Sequence, residues 1–593
     1  RRGYFMYETL NKINGVDDVK KMNLQELNAL AEDIREALFN RLTKIGGHCG
    51  PNFGMVETEI ALHYVFNSPV DKIVFDVSHQ SYPHKMLTGR KEGYICDEHF
   101  KDDSGYTNPQ ESEHDLFNIG HTSTSISLAT GLAKARDILG RKENVIAIIG
   151  DGSLSGGEAL EGLNVAGSEI DSNLIIVVND NQQSISETHG GIYKSLAALR
   201  ETGGKSKNNI FKSFGLDYVY VEEGNDIAKM IEAFEKVKDI DHPLVMHINT
   251  IKGKGYDIAE KDRENWHWTL PFDRETGKLT VEWGDEPEYS DIAREYILSK
   301  AKSDSSFMVI TPNMPGSMDL SKEDREALGE QFVDVGIAEE QSIAMAGGAA
   351  KAGAKPLVFT SATFMQRAYD QISHDICIND LPITILLTSA SFTSMRDVTH
   401  LGIFAISEFS NIPNLVIVSP SSKEELIDAL DWSIDQREHP VMILMPGNGV
   451  SSRKQILGID EIEKFELPQK GERLAIIALG DFYQKGEDIA KAVEEKYGFI
   501  PTLINPRFAS GVDKELLDSL EENHELVLTL EDGILSGGFG QKLASYLGTG
   551  SLMVKNYGLD KKFYDRYNAK ALMKELGMDD ESILKDIKEL LSL

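Results

Sequence analysis

Cysteine is nearly absent: the chain has three in 593 residues, Cys49, Cys96 and Cys377. So few thiols cannot cross-link a chain of this length into a disulfide framework, and their spacing fits no structural zinc site. A reducing compartment is the simplest setting for such a chain. We therefore expect a cytoplasmic protein.

Long hydrophobic runs are also missing, since no stretch of about 18 apolar residues occurs and no membrane span is expected. The opening segment, RRGYFMYETLNKING, lacks the apolar core of a secretory signal peptide. With 41% hydrophobic and 26% charged residues, the composition is that of a soluble globular protein. The length predicts two to four domains, because one hydrophobic core does not serve so long a chain.

Basic residues are in deficit: 61 lysines and arginines face 95 aspartates and glutamates, a net charge of −34. This balance argues against a nucleic-acid partner, whose phosphates would be repelled. An anionic substrate would need a locally positive pocket. A G-x-G-x-x-G motif followed by an acid is missing after the first strand, which disfavours a dinucleotide-binding enzyme.

Short apolar runs alternate with helical segments along the whole chain, among them KIVFDV, NVIAIIG, NLIIVVND, KPLVFTS, PITILLT and RLAIIALG. Such strands are buried on both faces, which predicts parallel sheets between layers of helices. Polar breaks occur at VEWGDEPEYS and DEIEKFELPQKGE. We therefore predict an α/β protein of three doubly wound parallel-sheet domains, 1–287, 288–465 and 466–593.

The first long helix has a clear start signal. Asn23 followed by Glu26 predicts a capping box, in which each residue caps the other's backbone amide. Apolar residues then recur at helical spacing, at Leu27, Ala31, Ile34, Leu38 and Leu42.

An aspartate and an asparagine follow two neighbouring strands in the segment IIGDGSLSGGEALEGLNVAGSEIDSNLIIVVNDN. Ligands of open parallel sheets bind beyond the carboxyl ends of the strands, so Asp151 and Asn181 are expected to reach one ligand. Their oxygens suit magnesium, which completes its shell with phosphate oxygens and water. The glycines beside them leave room for a phosphate at a helix start, namely Gly150, Gly152, Gly156 and Gly157. The alternative is a tight glycine turn with an asparagine cap.

Motifs along essentially the whole chain resemble those of the 1-deoxy-D-xylulose 5-phosphate synthase family, relatives of transketolase. They include GGHCGPNFG, DVSHQSYPHKMLTGR, GDGSLSGGEALEGLN, NDNQQSISE, KGKGYDIAEKD, DVGIAEEQ and TFMQRAYDQ. The resemblance implies a transketolase-type fold and a homodimer that uses thiamine diphosphate and magnesium. It implies a transferase that decarboxylates pyruvate and joins the two-carbon unit to an aldose phosphate, glyceraldehyde 3-phosphate. Isoprenoid and thiamine biosynthesis are the pathways that it implies.

The resemblance also implies roles for individual residues. Glu339 is the acid that protonates the aminopyrimidine ring, Phe364 packs on that ring, and a backbone carbonyl of Gln183 joins Asp151 and Asn181 on the metal. Further cofactor contacts are implied for His79, His121, Ser123, Gly150, Gly152 and Ser153. Catalytic roles are implied for His48, His79, His267, His400 and Arg367, besides Glu339.

The chain departs from the family where the acceptor phosphate is held. The family's Asp-Arg-Ala-Gly reads Thr388–Ser391 here, and its Tyr-Pro-Arg-Gly passes from Pro446 directly to Gly447. Two explanations are open: Arg396 or Arg453 replaces the two missing arginines, or the acceptor differs. A synthase-like transketolase with another donor or acceptor is therefore a second interpretation. A cofactor-binding protein without turnover is a third.

Overall fold

The structure of the protein, a computed structural model, describes residues 7–281 and 287–593. The first six residues, and part of the predicted break VEWGDEPEYS, lie outside the described residues. The chain divides into two compact units. One comprises residues 1–284 with 336–338, and the other comprises residues 285–335 with 339–593.

The first unit is built on a parallel sheet of five strands in the order β1-β2-β3-β5-β4. The strands are β1 (Lys72–Phe75), β2 (Val145–Gly150), β3 (Leu174–Asp180), β4 (Asp217–Val221) and β5 (Pro243–Asn249). Its helices of eight or more residues are α1 (Leu24–Ile45), α2 (Gly50–Val65), α3 (Ser125–Ile138), α4 (Gly157–Glu169), α5 (Ile192–Glu201) and α6 (Ile227–Val237).

Both faces of this sheet are buried, as the continuous apolar runs predict. Along β2, Ala147 and Ile149 pack into one hydrophobic cluster, whereas Ile146 and Ile148 pack into another on the opposite face. Successive side chains of a strand point to opposite faces, so a strand covered on both sides must be apolar at every position. The helix prediction is also confirmed, because α1 begins with the capping box of Asn23 and Glu26.

The second unit contains two sheets. The first, in the order β10-β11-β9-β8-β6-β7, is parallel throughout. Its strands are β6 (Phe307–Thr311), β7 (Phe332–Asp334), β8 (Lys355–Ser361), β9 (Thr384–Thr388), β10 (Val416–Val418) and β11 (Val441–Leu444). Its helices of eight or more residues are α7 (Tyr289–Ser303), α8 (Glu339–Lys351) and α9 (Lys423–Asp435).

The other sheet of this unit has the order β12-β14-β13-β15-β16 and one antiparallel edge strand, β12. Its strands are β12 (Glu466–Gln469), β13 (Arg473–Ala478), β14 (Thr502–Asn505), β15 (His524–Ile534) and β16 (Met553–Leu559). The accompanying helices are α10 (Tyr483–Tyr497), α11 (Phe539–Leu547) and α12 (Asp580–Leu590).

One hydrophobic cluster joins the two sheets of the second unit. Val358 of β8 and Ile385 of β9 share it with Ala475 and Ile477 of β13 and Val527 of β15. This shared core explains why the second and third predicted domains form one compact unit, and the division at residue 465 stays a prediction. The predicted α/β fold with parallel sheets is confirmed. In the described part of the chain, no helix is long and apolar enough to cross a membrane.

Candidate active site

Asp151 and Asn181 lie at the carboxyl ends of adjacent strands, β2 and β3. The two strands run parallel with Gly150 opposite Asn179, and the Asp151 amide donates to the Asn179 carbonyl oxygen at 3.0 Å. The register therefore fixes both side chains at one edge of the sheet, as the sequence predicts.

Asp151 is a buried carboxyl group with unused hydrogen-bonding capacity. Its side chain is almost fully enclosed, and Oδ2 has no hydrogen-bond partner. Burial raises the pKa of this carboxyl well above its usual range, and the neighbouring charge of Asp180 adds to the effect. An unpaired buried oxygen of this kind costs free energy unless a cation or a donor occupies the site.

Asp180 differs from Asp151 because protein donors already occupy it. His247 Nε2 lies 2.8 Å from its Oδ2, and the guanidinium of Arg200 binds the same oxygen. These partners hold the pKa of Asp180 below its usual range despite burial. The backbone N–H of Gln183 donates to Asn181 Oδ1 at 3.2 Å, so the turn that carries Asn181 and Gln183 is held by a local hydrogen bond.

The remaining predicted cofactor residues of the first unit lie around the same strand ends. A Cβ added to Gly150 would meet open space. Ser123 donates its hydroxyl to the Ser153 carbonyl oxygen at 2.8 Å and its amide to Asp76 Oδ1 at 2.8 Å. Ser123 and Ser153 thus hold the loop together, while half-buried His121 lies in the segment just before α3.

Three of the four histidines predicted to be catalytic form a cluster. The ring centroids of His48 and His79 are 5.0 Å apart, those of His79 and His267 are 5.1 Å apart, and those of His48 and His267 are 5.7 Å apart. A short antiparallel ribbon causes this approach, because His48 pairs with Trp268. Burial lowers the pKa of His267 well below its usual range, and the charges of Lys252 and His79 lower it further. The His267 ring is therefore neutral at physiological pH.

Two residues of this region were not predicted from the sequence. Asn52 donates to the carbonyl oxygens of His48 at 2.7 Å and His79 at 2.8 Å, so it holds two of the three histidines. Lys252, which follows β5 in the chain, is buried, and its Nζ donates to the Ser184 carbonyl oxygen at 2.5 Å. Burial lowers the pKa of Lys252 to about 7, against the opposing charge of Asp151.

Gly50 shows how tightly Lys252 is packed. A Cβ at that position would lie 3.0 Å from Lys252 Cγ and 3.0 Å from the Trp266 carbonyl oxygen. In the sequence, Lys252 follows a buried strand and opens the glycine-rich turn KGKGY, but nothing there distinguishes it from Lys254 two residues later.

The second unit carries a separate group of predicted residues. Glu339 is the first residue of α8 and is buried, and its Oε2 has no hydrogen-bond partner. Arg367 Nη1 lies 3.9 Å from that oxygen. Burial raises the pKa of Glu339 to about 7, although Arg367 opposes the shift. Phe364 and His400 meet edge to face, with their ring centroids 5.6 Å apart.

The departures from the family pattern lie at strand ends of this unit. Thr388, where the first departure begins, ends β9, and its hydroxyl oxygen lies 3.2 Å from that of Ser361 at the end of β8. Arg453 is already occupied, because it donates to the Ser421 carbonyl oxygen at 2.6 Å and to Glu487 Oε2 at 2.8 Å. Arg396 is exposed. Arg453 is thus committed to structural contacts rather than to an acceptor.

The donors present fit a magnesium ion with a diphosphate. In the described residues, no group of three or more His, Cys, Asp or Glu side chains is arranged to hold a metal. One unpaired carboxylate oxygen of Asp151 with the amide oxygen of Asn181 suits magnesium instead, since magnesium takes few protein ligands and keeps phosphate and water. The unpartnered Oε2 of Glu339 likewise fits a ring nitrogen.

Family models match this chain over most of its length. Family models match residues 10–207 (1-deoxy-D-xylulose-5-phosphate synthase), 124–305 (transketolase, thiamine diphosphate binding domain), 285–450 (transketolase, pyrimidine binding domain) and 463–583 (transketolase, C-terminal domain). A solved transketolase from Campylobacter jejuni covers 96% of this chain at 17% identity with a TM-score of 0.44.

Curated relatives match over nearly the full length. The 1-deoxy-D-xylulose-5-phosphate synthase of Caldanaerobacter subterraneus is 37% identical over 98% of both chains. That of Clostridium perfringens is 36% identical over 99% of this chain and 100% of its own. The chain belongs to the 1-deoxy-D-xylulose-5-phosphate synthase family of thiamine diphosphate-dependent transferases.

Proposed function

We propose that the protein decarboxylates pyruvate and transfers the remaining two-carbon unit to an aldehyde, with glyceraldehyde 3-phosphate as the reference acceptor. The relatives' name, 1-deoxy-D-xylulose-5-phosphate synthase, supports this reaction. The observation that carries the proposal is Glu339: a buried carboxyl with an unpartnered oxygen and a pKa of about 7. A general acid is most effective when its pKa lies near the working pH.

The residues of the first unit are proposed to bind the diphosphate end of the cofactor. Asp151 and Asn181, with the carbonyl of Gln183, hold magnesium, and the open space at Gly150 admits a phosphate. Lys252 lies next to Asp151, and an anionic group bound there would favour its ammonium form over the neutral amine. Bound thiamine diphosphate supplies a carbon nucleophile for the carbonyl of pyruvate.

The residues of the second unit are proposed to bind the aminopyrimidine end. Glu339 donates its proton to a ring nitrogen, and Arg367, at 3.9 Å, keeps the carboxylate form accessible when the proton leaves. Phe364 offers its ring for packing, beside His400. The three-domain division at residues 287 and 465, the homodimer and a cytoplasmic location are part of the same proposal. Isoprenoid biosynthesis is the pathway that fits the relatives' name, whereas the comparisons give no support to thiamine biosynthesis.

The histidine cluster is proposed to handle the proton of the acceptor aldehyde. A neutral imidazole can donate a hydrogen bond to the developing alkoxide without the cost of burying a cation. His267→Gln is expected to lower kcat/KM for the acceptor by about 10²-fold, the lower end of the range for lost acid–base groups. Half-exposed His242→Gln, outside the cluster, is the matched control. Equal kcat/KM for the His267 variant and the control would remove His267 from the proposal.

The reaction itself is tested with pyruvate labelled at the carboxyl carbon. Purified protein with thiamine diphosphate, magnesium and glyceraldehyde 3-phosphate is expected to release labelled carbon dioxide and to form a five-carbon product, identified by mass. A transketolase donor is a ketose and releases no carbon dioxide. Product from a ketose phosphate with no release from pyruvate would therefore establish the transketolase interpretation instead.

A further inference from the structure

Helix α5 of the first unit contacts both turns that carry the proposed magnesium ligands. The first turn, residues 151–155, follows β2, and the second turn, residues 181–183, follows β3. Tyr193 and Arg200 of α5 are seven residues apart, so two turns of helix bring their side chains to the same face. One helix face therefore serves both turns.

Tyr193 is hydrogen-bonded to the backbone of the first turn. Its hydroxyl donates to the carbonyl oxygens of Asp151 at 3.1 Å and of Gly152 at 3.3 Å. The Tyr193 ring packs against the hydrophobic cluster that β2 and β3 share. The backbone of Asp151, which carries the unpaired carboxylate oxygen, is thus tied to α5.

Arg200 reaches the second turn through Asp180, the last residue of β3. Its guanidinium binds Asp180 Oδ2, and Asp180 Oδ1 accepts a hydrogen bond from the backbone N–H of Gln182 at 3.2 Å. Gln182 has a φ of 64°, a left-handed conformation that residues other than glycine rarely adopt, so this turn needs a fixed partner. Asp180 is fully buried, and its bond with Arg200 is charge-assisted. Arg200 thus holds the turn that carries Asn181 and Gln183.

Contacts beyond the strand ladder set the distance between the two turns. The pairing of β2 with β3 ends at Gly150 and Asn179, and the Asp151 amide extends it by one hydrogen bond. Helix α5 is itself fixed, because Leu196 and Leu199 are fully buried in the cluster that these strands share. Since one packed helix carries a side chain for each turn, the position of one turn is tied to that of the other.

We propose that α5 holds the two turns at the separation that magnesium requires, and that Tyr193 and Arg200 are its positioning residues. Magnesium demands near-ideal octahedral geometry, with oxygens at about 2.0–2.1 Å, so ligands on two separate turns have to be held in place. Tyr193 acts through Asp151, and Arg200 acts through Asp180. The inference rests on the proposed function, because it takes ligands on both turns as the groups that hold the ion.

The test measures thiamine diphosphate binding by quenching of tryptophan fluorescence, titrated with magnesium. Tyr193→Phe keeps the ring and removes the hydroxyl, and Arg200→Gln removes the charge. Each variant is expected to raise the magnesium concentration for half-maximal binding about threefold to tenfold, which corresponds to one lost hydrogen bond. Arg200→Lys, which keeps the charge, should recover most of the wild-type affinity. A lower magnesium requirement in Arg200→Gln, which removal of a positive charge alone would produce, would overturn the inference.

The double variant Tyr193→Phe/Arg200→Gln shows whether the two contacts act through one helix. A rise of 1.5 Å per residue places them about 10 Å apart along α5, and changes at that distance are normally independent. If α5 holds both turns together, freeing one end already releases their separation, so the double variant should bind no more weakly than the weaker single variant. An effect equal to the product of the two single effects would overturn the inference.

Tyr497→Phe and Arg294→Gln are the matched controls, both in the second unit. The Tyr497 hydroxyl also donates to a backbone carbonyl oxygen, that of Leu584 at 2.9 Å, and Arg294 also pairs with an aspartate, Asp324 at 2.7 Å. Both variants should show the magnesium dependence of the wild type. A magnesium requirement that rises as much in the controls would count against a specific role of α5.

Hydrogen exchange of the cofactor-free protein tests the role of α5 independently of the proposed function. Mass spectrometry of peptides that cover residues 151–155 and 181–183 measures the two turns separately. Faster amide exchange at both turns in each single variant supports the inference even if pyruvate releases no carbon dioxide. Faster exchange confined to the turn that the substituted side chain holds would overturn it even if the reaction proceeds.

Discussion

Glu339→Gln is expected to lower kcat by about 10²- to 10⁴-fold, the range that a lost general acid–base group produces. Glutamine has the same size and still donates a hydrogen bond, but it cannot hand over or recover a proton. Steady-state kinetics with saturating thiamine diphosphate and magnesium measure the change. Glu340→Gln, on the next residue of α8 and more exposed, is the control and should keep nearly all activity.

The same substitution is expected to stabilise the cofactor-free protein at neutral and higher pH. Burial raises the pKa of Glu339 from 4.5 to about 7, so the folded state holds a proton that the unfolded state releases between these values. Stability is therefore lost as pH rises through this window, by about 1.4 kcal/mol per pH unit. The free energy of unfolding of Glu339→Gln, measured relative to that of the wild type, should therefore rise by about 1 kcal/mol from pH 6 to pH 8.

Thermal unfolding at pH 6 and pH 8 measures this gain. If the Glu339→Gln variant has an unchanged kcat, Glu339 is not the acid of the proposed reaction. An activity loss that comes with a lower melting temperature at pH 8 would instead indicate a folding defect. The expected combination, lower activity with higher stability at pH 8, arises from neither a damaged fold nor a neutral position.

The sheets and the metal-binding edge could be predicted because each depends on local sequence. Continuous apolar runs fix buried strands, and a parallel register then places Asp151 and Asn181 side by side without further information. Glu339 was identified by resemblance alone. Its unpartnered oxygen and raised pKa follow from burial at the start of α8, which depends on tertiary packing and cannot be read from the sequence.

Contacts between distant segments could not be predicted from the sequence. His48, His79 and His267 approach through a ribbon whose strands have two residues each, too short to show any periodicity. Lys252 was missed because burial, which makes a lysine unusual, is a tertiary property.

The second large effect is expected at the metal site. Asp151→Asn removes the carboxylate charge and keeps an oxygen, so magnesium-dependent binding of thiamine diphosphate should weaken about 100-fold, from the loss of one charge-assisted contact of about 3 kcal/mol. Quenching of tryptophan fluorescence by thiamine diphosphate, titrated at several magnesium concentrations, gives the dissociation constant without turnover. Exposed Asp171→Asn is the control and should bind as the wild type does.

Stability again separates a binding role from a structural one. Asp151 is a buried carboxyl with an unpaired Oδ2 beside Asp180, so neutralising it should raise the melting temperature of the cofactor-free protein. With cofactor and magnesium added, the order should reverse, because only the wild type gains the full binding free energy. If the Asp151→Asn variant binds thiamine diphosphate with unchanged affinity and unchanged magnesium dependence, the assignment is contradicted. Asp151 would then not bind the magnesium ion.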